Sequence, residues 1–382
     1  MRITSLPFRR VVRTLALAAI TVPALRAQGA LGLQGFGYPG GQLSTRSLAT
    51  GGSLADFDPQ SPLNPAAIGA GARALVYAQY DPEFRTSSVG GLTSHATTAR
   101  FPMFGITAQA GQATFGLSFS SYLDRSWSNS YADTITVSGT RVASNVNASS
   151  DGGISDIRAA GAWRFSDRFV LGVGLHFYPG RNNTSIGREF TDSGTFGGFT
   201  QNGEITYAGS ALSVGMVGTP FSHLNVAASA RFGSNIDVRQ GDSTVLGRAR
   251  IPGRYSASIG YDGIPGSSFA FRWSSERFSD LKGLGTATLP IQDATDIGFG
   301  AELSGPKMNN SDVAIRLGYR QRDLPFSLRG NAVKELSYTG GIGLPVASGK
   351  GMIDIALSRA HRTTVGADET GMILSVGLSI RP

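Results

Sequence analysis

The stretch TGMILSVGLSI, residues 370–380, alternates large apolar residues with small or polar ones. Apart from Ile373, its large apolar side chains share one face: Met372, Leu374, Val376, Leu378 and Ile380. Glycine and serine occupy most of the other face. Because successive side chains of a strand point to opposite faces, the stretch predicts a strand with one apolar face and one small, polar face.

The same period of two recurs along the chain, for example in residues 169–177 and 313–320. About fourteen such segments can be counted, each near the ~10 residues expected of a membrane-barrel strand. The predicted strands lie at 73–83, 95–109, 112–126, 153–165, 168–181, 203–218, 222–234, 247–261, 267–277, 293–304, 312–322, 335–345, 351–361 and 370–381.

The connections between these segments alternate in length. Those after even-numbered strands are short, and those after odd-numbered strands are mostly longer, as at 127–152, 182–202 and 278–292. Short periplasmic turns and longer external loops are typical of up-and-down outer-membrane barrels. The main alternative is a soluble all-β protein, a propeller or a solenoid. A propeller would show a repeat of fixed length with a recurring motif, and the sequence contains none.

The composition also favours an all-β chain. Glycine accounts for 52 of 382 residues, only 16% of residues are charged, and runs of good helix formers are missing. No later stretch reaches the 18 apolar residues of a transmembrane helix. The chain has no cysteine, which excludes a disulfide framework. The predicted fold is all-β: an antiparallel transmembrane β-barrel of about 14 strands with an N-terminal plug.

Residues 1–27 combine a basic start, a short apolar run at 14–25 and a small residue, Ala27, at a suitable cleavage position. This pattern predicts a cleaved signal peptide, since the apolar run is too short to span a membrane as a helix. The segment carries five arginines and no acid, so its removal lowers the net charge from +8 to +3. We therefore predict a bacterial outer-membrane protein with no nucleic-acid partner.

Residues 28–72 contain glycine and proline throughout and show no sustained alternation. They also carry more large apolar side chains than a free leader normally does. We expect this region to be a plug, or hatch, inside the lumen of a barrel formed by residues 73–382; a disordered periplasmic leader is the alternative. The prolines of SPLNPAAIG (61–69) end regular structure before the first strand, because proline cannot donate to a ladder.

Arginine recurs on the small, polar face of the predicted strands. Its planar donor fork suits the carboxylate of a ligand, but it equally suits the acidic residues of a barrel wall, and the sequence leaves both interpretations open. The candidate lumen or ligand-binding residues are Arg158, Arg164, Arg231, Arg250, Arg254, Arg272, Arg316 and Arg320.

Catalytic motifs are missing. The four histidines are scattered along the chain: His95, His176, His223 and His361. Only His176 lies in a clear strand interior, where we interpret it as a packed lumen residue, and no cluster brings a serine together with a base and an orienting acid. No metal-binding or nucleotide-binding motif is present. The sequence therefore predicts no enzyme, no cofactor and no metal site.

The chain resembles the FadL family of outer-membrane transporters for long-chain fatty acids and other hydrophobic compounds, and the related PorV-like barrels of type IX secretion. Besides the architecture, the resemblance depends on five stretches: NPAAI (64–68), LGYRQRDLPF (317–326), ELSYTGGIGLPV (335–346), IDIALSR (353–359) and LSVGLSI (374–380). The chain departs from common barrel-insertion signals in ending SIRP, without a terminal aromatic residue.

The resemblance implies passive transport of a hydrophobic or amphipathic small molecule, such as a long-chain fatty acid, across a membrane whose lipid surrounds the barrel. It implies that Asn64, Pro65 and Ala66 belong to a hatch, and that the strand at 112–126 provides a lateral opening, with Gly116 as its weak point. Two alternatives remain: a PorV-like barrel that serves protein secretion or surface attachment, with secretion-system partners, and a general diffusion porin.

Overall fold

The computed structural model describes residues 36–89, 92–137, 139–191, 194–240, 244–284, 291–308, 311–328 and 330–382. The predicted signal peptide, 1–27, and the first part of the predicted plug, 28–35, lie outside the described residues. Within the described ranges, no helix combines the length and apolar character needed to cross a membrane.

The chain folds into a closed antiparallel barrel of 14 strands, which confirms the predicted fold class. Neighbouring strands pair in chain order, and the last strand pairs with the first, so the sheet has no open edge at its ends. The strands are β1 (Ala74–Val89), β2 (Leu92–Ala110), β3 (Ala113–Asp124 and Trp127–Val137), β4 (Thr140–Ser166), β5 (Phe169–Phe190), β6 (Phe199–Phe221), β7 (Leu224–Gln240), β8 (Thr244–Arg250 and Arg254–Tyr261), β9 (Ser267–Glu276), β10 (Ala294–Met308), β11 (Ser311–Leu328), β12 (Asn331–Val346), β13 (Gly351–Thr364) and β14 (Ala367–Ile380). Both parts of β3 pair with β4, and both parts of β8 pair with β7.

The prediction of long external loops at 127–152 and 182–202 is wrong, because the strands continue through most of both stretches. The stretch 127–152 is a hairpin in which Val137 pairs with Thr140, and 182–202 is strand on both sides of residues 191–198. Side chains of the first strand of this hairpin are mostly exposed on both faces. The apolar alternation therefore stops there, although the backbone ladder continues.

The two faces of each strand have opposite character. Along β5, the large apolar side chains point outward and are 39% to 57% exposed: Leu171, Val173, Leu175 and Phe177. The residues between them point inward and are buried: Gly172, Gly174 and His176. A water-soluble protein rarely exposes so continuous an apolar surface, whereas a barrel surrounded by lipid requires one.

Residues 36–72, called here the N-terminal segment, lie inside the barrel and are mostly buried. The segment contains one short helix, α1 (Thr45–Ala49), and a 3₁₀ helix (Pro65–Ala70). The Ser44 side chain accepts from the Ser47 amide at the start of α1, and Asn64 accepts from the Ala66 amide at the start of the 3₁₀ helix. These caps satisfy amide groups that a short helix leaves unpaired.

Glycines of the wall let the N-terminal segment approach closely. A methyl group on Gly318 of β11 would lie 2.2 Å from the Gly51 amide nitrogen, and one on Gly172 of β5 would lie 2.4 Å from the Ala66 amide nitrogen. No side chain fits in such a space. Part of the high glycine content therefore serves contact between the wall and the N-terminal segment.

Candidate functional site

The Asn64-Pro65-Ala66 stretch connects the N-terminal segment to the wall. The Asn64 amide group donates to the carbonyl oxygens of Asp56 at 2.9 Å and of Met216 in β6 at 3.1 Å. The side chain is fully buried, and the absence of a side chain at Gly215 makes room for it. Asn64 thus joins two parts of the N-terminal segment to one strand of the barrel, while its role in gating stays a prediction.

Seven of the eight predicted lumen arginines point into the barrel, and they fall into three groups. Four of them form ion pairs inside the barrel: Arg231 with Glu276, Arg272 with Asp56 and Asp296, Arg316 with Glu302 and Asp354, and Arg320 with Asp296. Two others donate to carbonyl oxygens of the N-terminal segment, Arg164 to Gly69 at 2.6 Å and Arg254 to Leu63. These contacts favour a structural role, because they use the donor fork that a ligand would need.

Arg250 is not a lumen residue, contrary to the prediction. Its side chain is exposed, whereas the preceding residue, Ala249, packs against a buried apolar cluster of the interior. β8 is interrupted at residues 251–253, and this break shifts the alternation between its two parts. Arg250 and Arg254 therefore point to opposite sides, although their even spacing in one strand would place them on the same side.

Arg158 forms the third group. Its side chain is only 3% exposed, and its Nε and Nη1 atoms have no hydrogen-bond partner among the described residues. Arg158 lines a small cavity of about 10 Å³, room for about one water molecule, together with Pro59, Gln60, Leu75 and Tyr77. The Gln60 side-chain oxygen in the same cavity also lacks a hydrogen-bond partner. Buried polar atoms of this kind normally have partners, so the cavity is suited to a polar group of a ligand.

A buried charge network surrounds Tyr38 of the N-terminal segment. No pattern in the sequence indicates this network. The Tyr38 hydroxyl donates to Glu335 at 2.7 Å and accepts from Arg362 at 2.6 Å. Burial raises the pKa of Tyr38 to about 12, against the opposing effect of the two nearest guanidinium groups, so the hydroxyl stays protonated. The network also includes Glu83, Arg85, Arg322 and Glu369.

The ladder between β2 and β3 approaches this network. It runs from the Ala110–Ala113 pair to the Met103–Ser120 pair. The two-residue strand Tyr38–Pro39 pairs with β3 at Leu123 and Asp124, a few residues beyond Ser120. The N-terminal segment therefore extends the sheet along β3 from inside the barrel.

Gly116, the predicted weak point of the wall, lies in a continuous part of the sheet. It pairs with Thr107 of β2 on one side and with Ala160 of β4 on the other. A methyl group there would lie 3.4 Å from the Ile68 side chain of the N-terminal segment. An opening at Gly116 stays a prediction.

Asp156, His176 and Ser213 form a hydrogen-bonded chain inside the barrel. His176 Nδ1 lies 2.9 Å from an Asp156 carboxylate oxygen, and His176 Nε2 lies 2.8 Å from Ser213 Oγ. The sequence pattern predicts only a packed lumen residue at His176 and no such cluster. The three residues lie on β4, β5 and β6, and the β5–β6 register that places Ser213 opposite Gly174 spans an external connection whose geometry the sequence did not predict.

Asp56 is a buried carboxylate of the N-terminal segment with partners on two strands. It accepts from Ser258 at 2.7 Å and from Arg272 at 3.0 Å. Burial alone would raise the pKa of Asp56, but Arg272, Arg254 and two serine hydroxyls hold it below the ordinary value of 3.8. These contacts therefore stabilise the fold above that pH, and the contribution is lost as the pH falls below it.

We expect this linkage to be visible in thermal unfolding. Below about pH 4, the unfolding midpoint of the wild type should fall more steeply with pH than that of Asp56→Asn, because the variant has no carboxylate to protonate at this position. Thermal unfolding in detergent between pH 7 and pH 3 measures the difference between the two proteins. Parallel curves would contradict the assigned role of Asp56.

Comparison with known proteins finds similarity in structure but not in sequence. No family model and no curated protein matches the chain. A FadL homologue of Pseudomonas aeruginosa matches with a TM-score of 0.60 at 10% identity, covering 90% of this chain and 99% of that one. The CymD monoaromatic hydrocarbon channel matches with a TM-score of 0.56 at 12% identity, covering 93% and 99%. The toluene transporter TbuX of Ralstonia pickettii matches with a TM-score of 0.54 at 15% identity, covering 91% and 99%.

These matches show that the chain shares the fold of FadL-type barrels, over nearly the full length of each of these structures. The fold that the sequence resemblance implied is therefore confirmed. Two of the three are titled as a channel or a transporter for hydrocarbons, and none of the three titles names an enzyme. At such low identity, what these proteins carry is evidence for a proposal about this chain and not an assignment.

Proposed function

We propose that this chain is an outer-membrane channel for the passive uptake of hydrophobic or amphipathic small molecules, and that the N-terminal segment is its hatch. The observation that supports this most directly is a lumen occupied by residues 36–72, in which Tyr38–Pro39 pairs with β3 next to the Met103–Ser120 pair of the β2–β3 ladder. An occupied lumen argues against an open diffusion pore. The similar barrels titled as hydrocarbon channels support the substrate class.

In this proposal the hydrophobic molecule leaves the lumen sideways. Displacement of Tyr38–Pro39 from Leu123 and Asp124 frees the wall between β2 and β3 to open toward the apolar zone of the membrane. Transfer of an apolar molecule into lipid instead of periplasmic water lowers its free energy. The gradient of the molecule itself then suffices to drive uptake, and no cofactor or chemical step is required.

The cavity beside Arg158 is the proposed contact for the polar end of an amphipathic molecule. A buried guanidinium with free donors favours a carboxylate, since charge-assisted hydrogen bonds are about twice as strong as neutral ones. Leu75 and Tyr77 supply apolar surface in the same cavity. A neutral hydrocarbon uses only the second kind of contact.

We therefore expect Arg158→Met to weaken binding of oleate by about tenfold or more, and to leave binding of toluene nearly unchanged. The matched control is Arg250→Met, which removes an exposed arginine from the same barrel. Mass spectrometry of protein extracted in detergent, loaded with each ligand, measures the retained fraction. Equal loss of oleate in both variants, or no loss in Arg158→Met, would contradict the proposed role of Arg158.

A further inference from the structure

The Asp156–His176–Ser213 chain has the connectivity of an activated serine. Ser213 Oγ lies 2.8 Å from His176 Nε2, and the other ring nitrogen lies 2.9 Å and 3.0 Å from the two Asp156 oxygens. The three side chains are at most 3% exposed. A serine within hydrogen-bond reach of a histidine, itself oriented by a buried carboxylate, is the arrangement that makes a hydroxyl nucleophilic.

The partners of Asp156 define the protonation of the imidazole. The carboxylate accepts from the Gln42 side-chain amide at 2.8 Å and from the Tyr178 hydroxyl at 3.3 Å, as an ionised acid does. An ionised Asp156 requires the proton on Nδ1 of His176. Nε2 is then the acceptor and Ser213 Oγ–H the donor, which is the direction that proton removal from the serine needs.

Gly174 lies directly beside the serine. A methyl group built on Gly174 would lie 2.6 Å from Ser213 Oγ and 3.5 Å from His176 Nε2. The side-chain stem of Arg158 borders the same point at 3.5 Å. A methyl group at this point would overlap Ser213 Oγ, so the carbonyl carbon of a substrate has to approach the hydroxyl from another side. Arg158 borders the site, and its unpartnered Nε and Nη1 donors are suited to the negative charge that develops on the carbonyl oxygen.

We propose that Ser213 is a catalytic nucleophile that takes an acyl group from a carboxylic ester entering the lumen. This activity goes beyond the proposed transport and does not depend on it. The substrate class is an ester with an apolar chain, because the cavity reached through Arg158 offers apolar surface at Leu75 and Tyr77.

The step balances without any cofactor. Ser213 Oγ attacks the ester carbon while His176 Nε2 takes its proton; the carbon–oxygen bond to the alcohol then breaks, and the alcohol leaves with the proton from His176. Water hydrolyses the acyl-serine with His176 as the base, which returns Ser213 and releases the carboxylic acid. Asp156 acts as a positioning residue, since it orients His176 without touching the substrate.

The N-terminal segment controls access to this site. Gln42 contacts Asp156 directly, and Asn64 is bonded to Met216, three residues beyond Ser213 on the same strand. The reactive hydroxyl is only 2% exposed while the segment is in place. Loosening the segment with Asn64→Ala should therefore make Ser213 react faster, not slower.

The full-length protein in detergent, incubated with an alkyl fluorophosphonate, tests the proposal. Peptide mass spectrometry should find the phosphonyl group on Ser213, at a rate at least tenfold lower in His176→Gln and higher in Asn64→Ala. Ser229→Ala is the matched control, because Ser229 is a buried lumen serine of β7 bonded to Ser256 and to no histidine. Gly174→Ala places a methyl group 2.6 Å from Ser213 Oγ, so it should displace that side chain and suppress labelling.

A second measurement separates positioning from folding. The Nδ1 proton of His176 should give a far-downfield proton resonance that Ser213→Ala keeps and Asp156→Asn loses together with the labelling. Faster migration of the unheated folded barrel on gels confirms that each variant is folded. Three results would each overturn the proposal: no phosphonyl group on Ser213 in either the wild type or Asn64→Ala, equal labelling rates in wild type and His176→Gln, or a downfield resonance unchanged in Asp156→Asn.

Discussion

A disulfide between positions 39 and 123 should abolish uptake of hydrophobic molecules, and its reduction should restore it. Pro39 and Leu123 are paired residues of the N-terminal segment and β3. Paired residues of antiparallel strands lie about 4.5 to 5.5 Å apart at Cα, within the range that a disulfide spans. The chain has no cysteine of its own, so Pro39→Cys combined with Leu123→Cys gives a single possible bond.

The physical reason for the expected loss is that the bond fixes the N-terminal segment to β3 and keeps the wall closed between β2 and β3. Uptake of radiolabelled toluene and oleate by cells producing the variant, with and without reductant, measures the effect. The matched control joins Ile106 to Leu117 in the same way, since these residues are already paired in the continuous part of the sheet. Wild-type uptake by the oxidised 39–123 variant would contradict lateral exit between β2 and β3.

Deleting residues 28–70 should raise single-channel conductance in planar bilayers several-fold. The wall remains closed by β1 and β14, while the side chains that fill the lumen are removed. Water then enters a barrel whose inward face carries polar and charged side chains. An even-numbered barrel of this size is wide enough to conduct when it is empty.

The deletion also leaves partners unpaired, so its effect has to be measured on folded protein. Arg272 loses Asp56, and Glu302 loses Arg46. We expect a lower unfolding temperature together with the higher conductance. The control is Asn64→Ala, which keeps the segment and should show brief openings rather than a permanently larger current. An unchanged conductance in folded deletion protein would contradict a lumen-filling hatch.

The strand number could be predicted from the sequence because each strand carries its own signal. Apolar outward residues alternate with small inward ones wherever the wall meets hydrocarbon, as in β5 and β14. The strand ends that form the hairpin at 127–152 lack that alternation. Residues 127–137 are exposed on both faces, so pairing there depends on backbone hydrogen bonds that leave no pattern in the sequence.

Contacts between distant strands could not be predicted for a related reason. Arg158 faces His176 across a short turn, but a register shift between Arg164 and Ser166 means that counting from the turn would not give this pair. Ser213 reaches His176 only through the pairing of β5 with β6, whose connection is longer and irregular. The prediction that Arg250 faces the lumen is wrong because the break at residues 251–253 reverses the alternation of inward and outward side chains. The proline and glycine in this break do not show from the sequence that such a reversal occurs.

The sequence leaves open whether the lumen arginines bind a ligand or pair with acidic residues, because it does not show how far along the barrel axis each side chain lies. The sequence gives the face of Arg272 and Arg316, but not that Asp56 and Glu302 reach them. Asp56 belongs to the N-terminal segment, whose sequence shows no strand or helix periodicity from which its position in the lumen could be predicted. The unpartnered state of Arg158 becomes visible only once the other guanidinium groups have been matched to their carboxylates.

The most direct test of the transport proposal is photo-crosslinking with a diazirine-bearing hydrocarbon during uptake. If molecules cross the lumen and leave between β2 and β3, peptide mass spectrometry should place the label on Gln60, on Ser118 and on the β3 edge at Leu123 and Asp124. Label confined to outward residues of β5 such as Val173 and Leu175, which any lipid-soluble probe reaches from the membrane, would contradict passage through this barrel.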